Sequence, residues 1–258
     1  MKSKPQTMFT GIIPARYASS RFPGKPLAII GGKTMIERVY EQASQALEEV
    51  WVATDDERIK LAVSAFGGKV IMTSTEHRSG TDRCAEAVIR LSGNLTGDES
   101  VVINIQGDEP FINPMQINLL KDCFNDPEVQ IATLVRKVTV HEDLTNINHP
   151  KVVLSDTMDA LYFSRSVIPY CRDSQPEEWV LKHIFFKHIG LYGYRIKTLL
   201  QITQLAQTNL ELAENLEQLR WLGNGFHIRC AVTPWESMGI DTPDDLLKAE
   251  AMLLSRKG

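Results

Sequence analysis

The stretch from Ile12 to Leu27, IIPARYASSRFPGKPL, constrains what this chain can fold into more than any other. A short apolar run (Phe9, Ile12, Ile13) stops at Pro14 and gives way to a loop carrying Arg16, Arg21 and Lys25 among small residues. No acidic residue lies between Pro14 and Lys25, although the whole chain has a formal charge of −4. Guanidinium forks and exposed backbone N–H groups suit a multiply charged anion. A solvated surface loop is the plain alternative. Position favours the anion, because an open α/β sheet takes its ligand beyond the carboxyl ends of its strands. The nearby Gly32-Lys33-Thr34 is not a Walker loop, since the required glycine five positions before Gly32 is Leu27.

Downstream, strand and helix patterns alternate. Leu27 to Ile30 is a short apolar piece turned by Gly31-Gly32, and Met35, Ile36, Val39, Tyr40 and Ala43 recur at helical spacing to about Leu47. Glu49 to Thr54 reads as a strand, Asp55-Asp56 as the cap of a helix from Glu57 to Phe66, and Lys69 to Met72 as the next strand. A helix to Leu91, a strongly apolar strand from Val101 to Ile105, a helix from Pro114 and a strand from Ile131 to Val138 come next. Such alternation indicates βαβ units and a largely parallel sheet. Residues 141–150 read as polar and irregular, and 179–186 as a loop or helical turn. Leu212, Leu216, Leu219 and Gly223 mark the inward stripe of one helix from Glu211 to Leu222, ahead of a strand from Ile228 to Val232.

Length and composition fit one large α/β domain, or one with a subdomain. A hydrophobic content of 43% without any run of about 18 apolar residues makes a membrane span unexpected. The first residues lack the apolar core of a secretory signal. Cys84, Cys123, Cys171 and Cys230 are scattered without metal-ligand spacing, so reduced thiols and a cytoplasmic location are expected. The acidic balance argues against nucleic-acid binding.

Several residues carry a structural and a functional reading side by side. Ser79 or Thr81, in HRSGTDR, can cap the helix that begins there, or the loop can present free N–H groups to a nucleotide. Asp82 and Arg83 can pair with each other. Asp108 and Glu109 come directly after the core strand beside Gly107, either as a plain turn or as carboxylates for a Mg²⁺ that carries phosphate. Arg165 interrupts an apolar-aromatic strand region and is either paired with a structural acid or aimed at an acidic ligand. His188, Gly190, Tyr192 and Tyr194 share one strand face, as core or as the floor of a sugar site. Thr242-Pro243 is a good helix start, which leaves Asp241 unexplained.

These segments resemble the sugar nucleotidylyltransferases that use CTP, and most of all those that activate 3-deoxy-manno-octulosonate (Kdo). The similarity rests on PARYASSRFPGKPL, HRSGTDR, QGDEP, ALYFSRSVIPY, KHIGLYGY, LELAENLEQLR and GIDTPDDL, and extends from about Gly11 to Leu247. It implies a single domain over 1–258 with a Rossmann-like, mostly parallel sheet of the nucleotide-diphospho-sugar transferase type flanked by helices. The nucleotide-binding core would span about 9–130 and 225–258, and a smaller sugar-binding and dimerisation portion about 131–224. It implies that Arg16, Arg21 and Lys25 grip the triphosphate and that Ser79, Gly80 and Thr81 read the cytosine side. Gln106 would serve nucleotide and sugar; Arg165, His188, Tyr192, Glu217 and Gln218 would serve the sugar. Asp108 and Asp241 would be the metal ligands, with Arg16 and Lys25 completing the catalytic set. The segment Asn148–Val153 departs from the family's usual pattern and leaves the role of Lys151 open.

The implied reaction joins CTP and Kdo to give CMP-Kdo and pyrophosphate with Mg²⁺ as cofactor, in a homodimer, on the way to lipopolysaccharide. Rivals are CTP-dependent activation of another acidic sugar (8-amino-Kdo or a sialic acid), a glycosyltransferase, which would need a D-x-D motif that QGDE lacks, and a non-catalytic nucleotide-binding regulator.

Overall fold

The computed structural model describes residues 7–18, 22–91, 100–236 and 238–255. They form two compact units, residues 1–118 with 237–258, and residues 119–236.

The first unit is built on β1 (Phe9–Ala15), where Ile12 and Ile13 are fully buried. After it come a 3₁₀ turn at Lys25–Leu27 and the hairpin β2 (Ile29–Ile30) and β3 (Lys33–Thr34), turned by Gly31 and Gly32 at φ 54° and 84°. Helix α1 (Met35–Ser44) begins where the Thr34 side chain accepts from the Glu37 N–H, and it buries the expected stripe Met35, Ile36, Val39 and Ala43. Next are β4 (Glu49–Thr54), α2 (Glu57–Ala65) capped by Asp56, β5 (Lys69–Met72), α3 (Gly80–Arg90), β6 (Val101–Asn104) and α4 (Pro114–Cys123), which begins in this unit and ends in the second. β1 pairs in parallel with β4 and with β6, and β4 in parallel with β5. All four strands therefore point the same way, and the loops after β1, β4, β5 and β6 emerge on one edge. Pro14 does not end β1. The strand continues to Ala15 opposite Thr54, and Pro14 lies past the last pairing with β6, at Ile12 and Asn104, where a missing N–H costs least.

The second unit holds β7 (Ile131–Lys137), α5 (His141–Thr145), β8 (Lys151–Leu154), β9 (Ala160–Ser164), α6 (Trp179–Lys182), β10 (Phe186–Arg195), α7 (Ile196–Ile202), α8 (Asn209–Glu214), α9 (Gln218–Gly223) and β11 (Ile228–Val232). β7 pairs in parallel with β11 and antiparallel with β10; β10 pairs antiparallel with β8, and β8 with β9. The chain then returns to the first unit for α10 (Pro243–Ser255), whose Ala249 packs with Ile240, Ile30 and Met35.

The α/β class read from the sequence is the one that forms, with local differences. Residues 141–150 begin with a helical turn rather than being wholly irregular. The helix expected over 211–222 is two short helices, because Asn215 turns left-handed at φ 49° and ends α8. The break changes the helical phase, so Leu212 is 62% exposed whereas Leu216 and Leu219 are buried. Asp82 and Arg83 do not pair. Asp82 completes the cap of α3, and Arg83, 3% exposed, donates to Asp55 at 2.7 Å and to the Thr73 hydroxyl at 2.6 Å.

That buried pair ties the end of β4 to α3. Asp55→Ala leaves the guanidinium without its counter-charge and is expected to cost about 3 kcal/mol or more of folding free energy in urea titration. A loss under about 1 kcal/mol would show that Thr73 and the Ser74 carbonyl hold Arg83 unaided.

Candidate active site

The loop after β1 is fastened at its neck. Gly24, left-handed at φ 73°, donates its N–H to the Tyr17 carbonyl at 3.0 Å. A side chain at Gly24 would meet the Tyr17 ring at 3.1 Å, so the position needs glycine on both counts. The Tyr17 ring also takes the Arg58 guanidinium, 3.3 Å from its centroid. Arg16 stands on one side of this neck and Lys25 on the other. Arg21, expected in the same grip, lies outside the described residues, as do Ser19 and Ser20.

Lys25 meets both acids singled out in the sequence. Its Nζ is 2.7 Å from Asp108 Oδ2 and 3.1 Å from Asp241 Oδ1. The backbone brings these carboxylates together across more than a hundred residues. Gly107 packs against the end of β1, where an added Cβ would lie 2.9 Å from the Pro14 carbonyl oxygen. One residue on, the Asp108 carbonyl accepts the Ile240 N–H at 2.9 Å, which lays the segment before α10 alongside the loop after β6. Asp245 reaches back to the Thr242 hydroxyl at 2.8 Å and accepts the N–H groups of Asp241 and Thr242. That fixes the start of α10 and, with it, Asp241. The Thr242 hydroxyl is the main reason the Asp245 carboxyl sits below its ordinary pKa.

Two carboxylates that converge on one ammonium can also converge on a metal ion. Among the described residues no group of three or more His, Cys, Asp or Glu side chains is placed to hold one. The pair alone suits Mg²⁺, which typically takes one or two carboxylates and fills its remaining positions with phosphate oxygens and water.

The opposite wall is the start of α3. Ser79 accepts the Asp82 N–H at 3.1 Å while Asp82 accepts the Ser79 N–H at 3.2 Å, a reciprocal cap. The structural reading of Ser79 is thus correct, and the same residue lines the cavity together with Gly80. Thr81 is buried one position further on and is not among the lining residues. His77 and Arg78 do line it, although the sequence pattern alone gave them no role. His77 Nε2 is hydrogen-bonded to Glu86. Burial opposes ionisation of Glu86, yet the Ser74 N–H, His77 and Arg90 outweigh it and lower its pKa to about 2. The HxSGT pattern was the available signal for His77; nothing in the sequence pointed to Glu86.

Arg16, Lys25, Ser79, Gly80, Gln106, Asp108 and Asp241 all border one open cavity of about 270 Å³ in the first unit. Its lining combines cations, paired carboxylates and a helix N-terminus, groups that suit a metal–polyphosphate.

Apart from Gln106, the residues expected to serve a sugar lie in the second unit. Arg165 donates to the carbonyls of Glu214, Ile147 and Asn215 at 2.7, 2.9 and 3.2 Å. Its guanidinium is therefore fixed, with N–H groups to spare on both terminal nitrogens. The structural acid considered for it is present but meets the backbone, since Glu214 accepts the Arg165 N–H at 2.9 Å. His188 Nε2 lies 3.0 Å from the Thr133 hydroxyl, and burial pulls its pKa down to about 3. The Tyr192 ring is 5.2 Å from His188 and 5.2 Å from Trp221, and burial raises its phenol pKa. A bulge between Ile189 and Tyr192 re-aims this strand face. Glu217 accepts from Arg220 at 2.7 Å, and the Gln218 amide is buried beside it at the start of α9. Lys151 is fully buried and donates to the Asn146 carbonyl at 2.9 Å. Burial lowers its pKa and the nearby Arg165 adds to this.

The profile of a family described as cytidylyltransferase matches residues 10–229. A 3-deoxy-manno-octulosonate cytidylyltransferase of Bacteroides thetaiotaomicron is 58% identical over 96% of this chain and 99% of its own. One of Myxococcus xanthus is 47% identical over 96% and 97%. Among solved structures, a CMP:2-keto-3-deoxy-manno-octonic acid synthetase complexed with CTP superposes with TM-score 0.88 at 43% identity, covering 97% of this chain and 100% of that one. A cytidylyltransferase of Leptospira borgpetersenii, at 14% identity and TM-score 0.63 over 97% and 88%, shares the fold.

The double duty of Ser79 is testable. Ser79→Ala should cost about 1 kcal/mol of stability through the lost cap, whatever the ligand. Thermal unfolding with and without CTP separates the two roles. A smaller CTP-induced rise in melting temperature in the variant would show that Ser79 also meets the nucleotide, and an equal rise would confine it to capping.

Proposed function

The chain belongs to the cytidylyltransferase family, and we propose that it transfers CMP from CTP to the anomeric hydroxyl of Kdo, releasing pyrophosphate. The observation that carries the catalytic part is the convergence of Lys25, Asp108 and Asp241 in the cavity that Arg16, Ser79 and Gly80 also line. The sugar specificity is supported by extensive identity to Kdo cytidylyltransferases over nearly the whole chain.

In this reading Arg16 and Lys25 hold the triphosphate and neutralise charge on the departing pyrophosphate. Each such donor is worth about 2.7–4 kcal/mol of barrier. Ser79 and Gly80 present the N-terminal end of α3 to the nucleoside, where the positive end of the helix dipole favours polar and anionic groups. Asp108 and Asp241 would hold Mg²⁺, which supplies Lewis-acid polarisation of phosphate oxygens when bound. The sugar oxygen forms its bond to the α-phosphorus as the bond to the β-phosphate oxygen breaks and the hydroxyl proton is lost to solvent, so positioning and electrostatics account for the rate. For Kdo we assign Arg165 to the carboxylate, and His188, Tyr192, Glu217 and Gln218 to the hydroxyls. Gln106 is assigned to both substrates. His188, with a pKa of about 3, takes part as a neutral ring.

We further propose a cytoplasmic homodimer. The described cysteines are all free, and no described helix is long and apolar enough to cross a membrane. In the second unit Tyr170, Leu181 and Ile184 are 74%, 85% and 52% exposed, and the Tyr170 ring lies against Trp179. Large apolar side chains this exposed suit a partner surface.

Pyrophosphate release with CTP, UTP and ATP against Kdo and sialic acid tests the assignment. CTP with Kdo should dominate, and equal rates with all three nucleotides would remove the cytosine reading. Asp108→Asn and Asp241→Asn should each lower turnover roughly 100-fold or more, with the double variant hardly worse because the two act as a unit. Losses that simply multiply would break the shared-metal model. Chelation by EDTA should abolish activity and excess Mg²⁺ restore it.

Sedimentation equilibrium should show a dimer that Leu181→Asp weakens. A monomer at all concentrations would refute the assembly.

A further inference from the structure

We propose that Lys25 is the resident counter-cation of Asp108 and Asp241, and that it exchanges these carboxylates for the phosphates of the nucleotide when a divalent cation arrives with CTP. The proposal deepens the nucleotidyl-transfer reading and rests on it.

The three groups come from the loop after β1, the loop after β6 and the approach to α10, and they meet at one nitrogen, 2.7 and 3.1 Å from the two acids. The meeting is not a loose surface pair. The Lys25 side chain is only 15% exposed, against 30% for Asp108 and 46% for Asp241. Its backbone is held on both sides, by its own N–H to the Phe22 carbonyl at 3.2 Å and by its carbonyl from the Ala28 N–H at 3.1 Å. Pro26, the next residue, is buried in the 3₁₀ turn. The ammonium therefore leaves these oxygens by rotating its side chain, not by moving the loop.

Charge governs the exchange. Two carboxylates brought this close repel one another unless a cation stands between them, and the Lys25 ammonium stands between these two. A divalent ion seeking the same oxygens would sit beside the ammonium and compete with it. Without nucleotide the lysine has nowhere better to go, so the protein alone binds divalent cations weakly. The triphosphate changes that, because it offers the ammonium several anionic oxygens in the same cavity. Metal and nucleotide thus bind as a coupled pair, and by linkage each raises the affinity for the other by the same factor. A bare cation is kept from settling on the carboxylates ahead of the substrate.

Lys25 then has two effects of opposite sign, which a merely structural lysine would not show. It should weaken metal binding to the free protein and strengthen nucleotide binding. The test uses Mn²⁺ as the probe, with unbound Mn²⁺ read by electron paramagnetic resonance in the absence of CTP, and CTP affinity measured by calorimetry in EDTA. Lys25→Met should bind Mn²⁺ about tenfold more tightly than the wild type and CTP several-fold more weakly. Lys25→Arg, which keeps the charge, should leave Mn²⁺ binding as weak as in the wild type. Asp241→Asn introduced into the Lys25→Met protein should cancel its gain. Melting curves establish that each variant is folded. Unchanged or weaker Mn²⁺ binding by Lys25→Met would overturn the exchange and leave Lys25 as a simple organiser of the two acids. Failure of the underlying reading shows separately, as wild-type protein that releases no pyrophosphate from CTP and Kdo.

Discussion

The arrangement of the first unit depends on the parallel pairing of β1 with β4 on one side and β6 on the other. Parallel strands bring their carboxyl ends to one edge, so loops far apart in sequence must share the same small space. Charge then decides what that space can hold. The loop after β1 brings Arg16 and Lys25, the loop after β6 brings Asp108, and the start of α3 brings the positive end of a helix dipole. None of these would be worth much alone on a surface, where water screens single charges. Gathered around one cavity, they suit a polyanionic ligand far better than any of them would alone.

The parts of this that could be read from the sequence are those with a local cause. The strand before Pro14, the α1 stripe, the cap at Asp56 and the glycines at 31 and 32 each depend on propensity and spacing within a few residues. So does the suspicion about Asp108, an acid that comes soon after an apolar run. What stayed out of reach depended on contacts between distant segments. Nothing near Arg83 shows that its partner is Asp55 rather than its neighbour Asp82, because the pairing exists only once β4 and α3 are side by side. Glu86 was likewise invisible, as it acts through His77 and Ser74 across a loop.

The second unit shows the opposite failing, in which a local pattern misleads. Leu212, Leu216 and Leu219 have helical spacing, yet one left-handed residue at Asn215 puts Leu212 out of phase with the other two. Periodicity cannot register a break that costs a single residue's conformation. Arg165 is a milder case. Its isolation among apolar neighbours correctly marked it as special, but three of its N–H groups go to main-chain carbonyls that no side-chain pattern could reveal.

The bond from the Ile240 N–H to the Asp108 carbonyl has a consequence for synthesis on the ribosome. The second carboxylate is made more than a hundred residues after the first, and the α10 segment behind it covers Ile30 and Met35, which are made long before either. A nascent or truncated chain lacking residues from 238 onward therefore lacks Asp241 and leaves Ile30 and Met35 without this cover. The second of the paired carboxylates and the cover for that face arrive together. A prematurely terminated product would lack both and present that face to chaperones and proteases.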